Sequence, residues 1–159
     1  MPRSESVPPL LLYLNKQVEL AVRARLDEML RPAGLTVSQY TALTVLERDE
    51  DMSSAQLARL SFVTAQSMAD LITALEGRGL IERHRDRADR RRLVVALTAE
   101  GRVLLDRYRG EVAALEETML AGLSSQEVAM LRSVLSRCYG NLSHAQPRPP
   151  LREAGRAAG

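Results

Sequence analysis

The feature that most constrains this chain is a repeated helix-start signature, a Ser or Thr followed three residues later by Gln or Glu. The hydroxyl accepts from free N–H groups of the first turn, and the Gln or Glu side chain reaches back to the N–H of the capping residue. The signature occurs in "TVSQ" (Thr36, Gln39), "SSAQ" (Ser53, Gln56) and "SSQE" (Ser124, Glu127). Thr64 with Ser67 is a weaker version, and Thr98 in "LTAEG" can cap a helix that follows Leu97. A chain punctuated at these positions folds mainly as helices.

The apolar pattern fills the intervals. Residues 9–31 place Leu11, Leu14, Val18, Val22, Leu26 and Met29 at steps of three and four, before Pro32 and Gly34 stop the pattern. That spacing predicts an amphipathic helix on the order of 35 Å long, at about 1.5 Å per residue. A second helix is expected over about 37–48, burying Tyr40, Leu43 and Leu46, and a third over about 54–61, burying Leu57 and Leu60. A fourth, about 65–77, turns Met68, Leu71, Ile72 and Leu75 inward and ends at Gly79, which tolerates a left-handed backbone. Ile81–Arg85 and Leu93–Leu97 can pair as a hairpin, the only sheet expected. A fifth helix follows over about 99–121, with Leu105, Tyr108, Val112, Leu115 and Met119 on one face. A sixth spans about 125–141 and presents Val128, Leu131, Val134, Leu135 and Cys138. The stretch 143–159 has Pro, Gly and Ala without an apolar period and reads as a disordered tail. The expected fold class is mainly α with a small β-hairpin wing, in one domain over residues 1–159.

Two short helices joined by "SFV" and followed by a hairpin describe a winged helix-turn-helix over residues 36–98. The second helix of such a unit can enter the major groove of double-stranded DNA with its first turns toward base edges. The period that turns Met68, Leu71, Ile72 and Leu75 inward leaves Thr64, Gln66, Ser67 and Asp70 outside as candidate contacts, with Ser53 at the start of the preceding helix. Thr64 and Ser67 suit phosphates or bases, and Gln66 suits adenine. The competing reading makes these residues caps and plain surface.

The hairpin carries "RDRADRRR" (Arg85 to Arg92), five arginines and two aspartates in eight residues. The formal charge of the whole chain is only +2, so an acidic partner must be met by a local patch of this kind. A guanidinium at the tip of a thin hairpin can enter a narrow minor groove while its neighbours neutralise phosphates. In this reading Arg91 probes the groove, Asp89 braces Arg91 by a charge-assisted pair, Arg87, Arg90 and Arg92 meet phosphates, and Asp86 belongs to the turn. A solvated charge run is the competing reading.

In these residues the chain resembles the MarR family of bacterial transcription regulators. The resemblance covers about residues 10–141 and is carried by Leu75-Glu76, Gly79-Leu80, Asp89-Arg90-Arg91, Leu97-Thr98 and Gly101 in combination. It implies a homodimer whose paired winged units bind an inverted-repeat operator, and often a small aromatic or phenolic effector that alters DNA affinity. Ala65 and Asp70 stand where many relatives carry arginine, which shifts the expected attraction to the wing and to Arg59 or Arg78. Cys138 lies far from the N-terminal position used by the family's peroxide sensors, so it reads as a small hydrophobe at a dimer seam.

The helical dimerisation region is expected in residues 9–31 and 99–141, because these apolar faces are too extensive for a DNA-binding unit to cover. Leu11, Leu14, Val18, Leu131, Val134, Leu135 and Cys138 are the expected seam residues. Tyr13, Lys16, Tyr40, Leu43 and Tyr108 are candidate linings of an effector cleft, against the reading that the three tyrosines are core. Short apolar runs and a lone cysteine argue for a cytoplasmic chain, without membrane span or disulfide. Two histidines far from Cys138 and no Gly-rich phosphate loop argue against an enzyme, a metal site or a cofactor. The rival function is a winged helix that binds an acidic protein and has no specific DNA site.

Overall fold

The structure, a computed structural model, describes residues 9–144. The order is α1 (Leu11–Leu30), a 3-10 turn (Arg31–Ala33), α2 (Val37–Arg48), α3 (Ser54–Leu60), α4 (Ala65–Gly77), β1 (Ile81–Arg85), β2 (Leu93–Leu97), α5 (Ala99–Met119) and α6 (Ser125–His144). The tail expected to be disordered falls outside the described residues from position 145 on, whereas Ser143 and His144 close α6. This is the expected mainly helical architecture with a hairpin wing.

All five helix starts are capped as their sequences require. Thr36 with Gln39, and Ser53 with Gln56, form reciprocal capping boxes. Ser124 and Glu127 exchange the same pair of bonds, at 3.3 Å and 2.8 Å. Thr64 accepts from the Ser67 N–H at 3.1 Å. Thr98 accepts from the Gly101 N–H at 3.1 Å and donates its hydroxyl to the Gly79 carbonyl at 2.6 Å.

The described residues form two compact units, one ending at Thr118 and the other beginning at Met119. In the first, Leu30, Leu43, Leu46, Leu57, Met68, Leu75 and Ile81 are fully buried. Leu105 and Tyr108 of α5 join the same core. Leu60 departs from expectation at 43% exposed. Helix α3 is only seven residues long, and the inward position one turn after Leu57 is taken by Ser61 just beyond its end.

Two glycines hold α4, β1 and α5 together. Gly79 adopts φ 70° after α4, and the Leu80 N–H returns to the Leu75 carbonyl at 3.1 Å. This left-handed turn satisfies the last helical carbonyls and sends Leu80 into the core. Gly101 sits where the first turn of α5 crosses that segment, and a Cβ there would collide with the Leu80 carbonyl oxygen.

Strands β1 and β2 pair antiparallel from Ile81 with Leu97 to Arg85 with Leu93. The outer edge of β2 also has a partner: Met52 and Val95 exchange two backbone bonds, of 3.3 Å and 2.8 Å. The hairpin is thereby fastened to the segment just before α3.

The N-terminal half of α1 covers none of this core, since Leu11, Leu12, Tyr13, Leu14, Val18 and Leu20 are all exposed. In the second unit, α6 exposes Met130, Val134, Leu135, Tyr139 and Leu142, with Cys138.

Candidate nucleic-acid interface

Helices α3 and α4 are joined by Ser61, Phe62 and Val63, and Thr64 opens α4. The Thr64 hydroxyl accepts the Ser67 N–H and donates to the Ser67 hydroxyl at 2.9 Å, so both groups are held at the helix start. Thr64, Gln66, Ser67 and Asp70 are all exposed, while Met68, Leu71, Ile72 and Leu75 face the core as their spacing predicts. The outward surface of α4 also includes the small residues Ala65, Ala69, Thr73 and Ala74. These small side chains allow the backbone of α4 to approach a groove closely, and Asp70 adds an acceptor suited to the amino group of cytosine.

The cations nearest this helix differ in what they do. Arg59 is exposed at the end of α3. Arg78 instead donates both guanidinium ends to the carbonyls of Ala33 and Gly34, at 2.7 Å and 2.9 Å. It ties the end of α4 to the turn after α1. Ser53 is half-buried, with its hydroxyl engaged by Gln56 in the cap.

The wing loop is shaped by its two aspartates. Asp86 accepts from the Ala88 N–H at 2.8 Å, and Asp89 accepts from the Arg91 N–H at 3.0 Å. Each is a local turn in which a short carboxylate substitutes for a backbone carbonyl. The expected charge pair between Asp89 and the Arg91 guanidinium is therefore replaced by a bond to the Arg91 backbone. The carboxylate lies so close to the chain that the backbone N–H reaches it first.

Arg92 donates to Gln56 Oε1 at 2.9 Å and lies 3.8 Å from Asp86, so it is fixed between the wing and α3. Arg85 donates to the Arg91 carbonyl at 3.3 Å. Arg87, Arg90 and Arg91 are exposed, and among the described residues no carboxylate pairs with their guanidiniums. The base of the wing is braced by Arg83 bonded to Glu76, which holds the Glu76 carboxyl below the usual carboxylate range. His84 Nε2 lies 2.9 Å from Asp51 Oδ1 on the opposite edge.

The expected effector-cleft residues are not brought together. Tyr40, Leu43 and Tyr108 are buried in the core, where burial raises the Tyr40 hydroxyl above the usual range. Tyr13 is exposed on α1, and Lys16 is bonded to Glu19 at 2.7 Å on the same helix. The period that puts tyrosines on an apolar face does not say whether that face meets a cleft or a core, and here the core takes two of them. A cleft of 540 Å³ does exist beside α1, lined by Val18, Val22 and Leu26 from α1, Thr41 from α2, and Ser61 and Phe62. Its turn residues carried no signal beyond the brevity of "SFV".

A sequence model of the MarR family matches residues 33–92, from the turn after α1 to the end of the wing loop. The chain is 32% identical over 125 residues to the HTH-type transcriptional repressor Rv2887 of Mycobacterium tuberculosis, an alignment covering 79% of this chain and 90% of that one. Among solved structures, the transcriptional regulator PA3341 aligns with a TM-score of 0.79 at 29% identity, covering 86% of this chain and all of its own. CouR from Rhodococcus jostii RHA1, solved bound to p-coumaroyl-CoA, aligns with a TM-score of 0.77 at 25% identity, covering 91% of this chain and 99% of its own.

Proposed function

This chain belongs to the MarR family, and we infer from that premise how its parts act as a DNA-binding transcription regulator and not as an enzyme. Helix α4 is the reading element in the major groove, with Gln66 and Asp70 toward base edges and Thr64 and Ser67 at the phosphate backbone. The wing supplies most of the attraction: Arg91 enters the minor groove, and Arg87 and Arg90 neutralise phosphates, with Arg59 a further cation beside α4. The observation that carries this reading is the set of exposed guanidiniums of Arg87, Arg90 and Arg91 on a hairpin anchored beside a capped, exposed α4.

The operator is an inverted repeat read by a homodimer, since two-fold symmetry places two copies of α4 in successive major grooves on one face of the duplex. Regulation is repression relieved by a small aromatic or phenolic effector. The protein acts in the cytoplasm; among the described residues no helix is long and apolar enough to cross a membrane. Support for an effector comes from CouR, which was solved with an aromatic acyl-CoA, and support for repression from the repressor Rv2887.

A gel-shift series at moderate salt tests the reading, using DNA upstream of the chain's own gene against random duplex. Specific retention is the expected outcome. Equal affinity for both duplexes would sink it.

A further inference from the structure

We propose that Arg78 is a positioning residue for operator recognition: its guanidinium fixes the end of the DNA-reading helix to the end of α1 and so sets the half-site spacing that the dimer accepts. The inference rests on the reading of this chain as a dimeric regulator of an inverted repeat, and it takes Arg78 out of the set of phosphate contacts.

Arg78 follows the last residue of α4 and is held there by the helix. Its N–H bonds to the Leu75 carbonyl at 3.2 Å, and the next two residues also return to α4, Gly79 to Glu76 at 2.9 Å and Leu80 to Leu75 at 3.1 Å. The Arg78 side chain, in contrast, leaves the winged unit. Its two terminal nitrogens donate to the carbonyls of Ala33 and Gly34, 45 and 44 positions earlier in the chain.

The receiving turn is fastened to α1 in the same way. The Arg31 N–H bonds to the Asp27 carbonyl, the Gly34 N–H to the Arg31 carbonyl at 2.9 Å, and the Leu35 N–H to the Leu30 carbonyl at 3.3 Å. Leu30 and Leu35 are both buried. The carbonyls of Ala33 and Gly34 close this helical segment, where intrahelical donors run out and the helix dipole favours a cation. One planar guanidinium serves both. Arg78 thereby clamps two helix ends, that of α4 with its base-reading surface and that of α1, whose N-terminal half exposes Leu11, Leu14 and Val18.

Two plainer roles for an exposed arginine account for less. A phosphate contact requires a free guanidinium, and here both ends are engaged by the chain. A purely stabilising bond matters most where water cannot replace it, yet Arg78 and Gly34 are exposed, so solvent can satisfy the carbonyls once the side chain is gone. Solvent cannot restore the fixed distance between the two helix ends. The neighbouring pair of Glu76 with Arg83 does not supply it either, because that pair stays within the winged unit.

The test uses the full chain and the duplex upstream of its own gene, trimmed to the wild-type footprint, with versions carrying one base pair inserted or deleted between the half-sites. Each inserted pair moves one half-site by about 3.4 Å along the duplex and about a tenth of a turn around it. Wild-type protein should prefer the original spacing by about tenfold or more, and Arg78→Met, which keeps the aliphatic stem, should cut that preference to about threefold or less. Arg78→Lys, which can still donate to a carbonyl but lacks the planar fork, should recover part of it. For Arg78→Met the slope of log K against log salt should match the wild type, since no phosphate loses its cation, and Tm should fall by no more than about 4 °C. A slope flattened by about 0.9 would make Arg78 a phosphate contact and overturn the proposal. Affinity lost equally at every spacing, with the preference intact, would overturn it as well, as would a wild-type protein indifferent to spacing. Wild-type protein that retains no duplex specifically removes the regulator reading itself, and this proposal with it.

Discussion

Arg92 of the wing donates to Gln56 Oε1 across 2.9 Å, and that same oxygen accepts from the Ser53 N–H at 3.0 Å in the capping box of α3. One side chain therefore starts a helix of the DNA-binding unit and anchors its hairpin. The arginine run is consequently not uniform in function. Arg92 is held by the protein, whereas Arg87, Arg90 and Arg91 have no carboxylate partner among the described residues. Each neutralised phosphate releases counterions, so Arg87→Ala, Arg90→Ala or Arg91→Ala should flatten the slope of log K against log salt by about 0.9 for every phosphate left without its cation. Arg92→Ala should leave that slope unchanged and weaken binding only through a displaced wing. Titrations of operator DNA at several salt concentrations check both; equal slopes for all four variants would refute the division.

Asp89 tests the second half of the same idea. Its carboxylate accepts the Arg91 backbone N–H at 3.0 Å, a task that an amide oxygen performs nearly as well. Asp89→Asn should therefore keep wing geometry and bind DNA as tightly as the wild type, or more tightly because an acid has left the interface. Asp89→Ala should lose the turn and bind more weakly. If the asparagine variant were as impaired as the alanine variant, the charge and not the turn would be what matters.

Gly101 should tolerate no side chain. A Cβ at this position meets the Leu80 carbonyl oxygen and lies 3.0 Å from Leu97 Cδ2, so the start of α5 or the end of α4 must shift. Gly101→Ala should cost about 1–3 kcal/mol, the range for overpacking a filled interior. Gly77→Ala is the control, because nothing lies within 4 Å of a Cβ there and α4 gains a better helix former. Thermal melts should show Tm falling for the first and holding or rising for the second.

The same positions show how much was legible in the sequence. Helix starts were, because a cap is a local bond: Thr36, Ser53, Thr64, Thr98 and Ser124 all cap as their neighbours at three residues require. Strand limits were, because Ile81–Arg85 and Leu93–Leu97 are bounded by Gly79, the charged loop and Thr98. Bonds between elements were not. Nothing local says that Arg78 turns to the carbonyls of Ala33 and Gly34, or that Arg92 finds Gln56, residues separated by 36 positions or more. The cleft failed for a related reason: Tyr40 and Tyr108 sit on apolar faces, and only tertiary packing decides whether such a face is core or cavity.

Acid should loosen the wing through Glu76. The hydrogen bond from Arg83 lowers the Glu76 carboxyl relative to its ordinary value. A carboxylate whose affinity for protons is lower in the folded state contributes stability above its unfolded value, and that stability is lost as pH falls through the folded value. Both groups are exposed, so the effect is small and screened by salt. Glu76→Gln should lower Tm slightly at neutral pH and converge with the wild type at the acid end of the carboxylate range. A difference in Tm that is constant across pH would remove the ion pair as its cause.

The exposed apolar residues on α1, and separately those on α6, argue for a dimer, because large apolar side chains left exposed along a helix mark an interaction site. Leu11 and Leu142 are 79% and 74% exposed in the single chain, and Val18 and Leu135 are about half exposed. Light scattering on the purified protein should give twice the chain mass at micromolar concentration. Leu135→Glu places a charge on the exposed apolar face of α6 and disturbs none of the buried core, so it should yield a monomer with unchanged helical content. That monomer keeps its wing and α4 but engages one half-site at a time. Its affinity for an inverted repeat should then fall by about a hundredfold or more, to that of an isolated half-site. A variant that stays dimeric would move the seam away from α6. A wild-type protein that is monomeric, yet binds the full repeat with one footprint, would exclude two-fold recognition altogether.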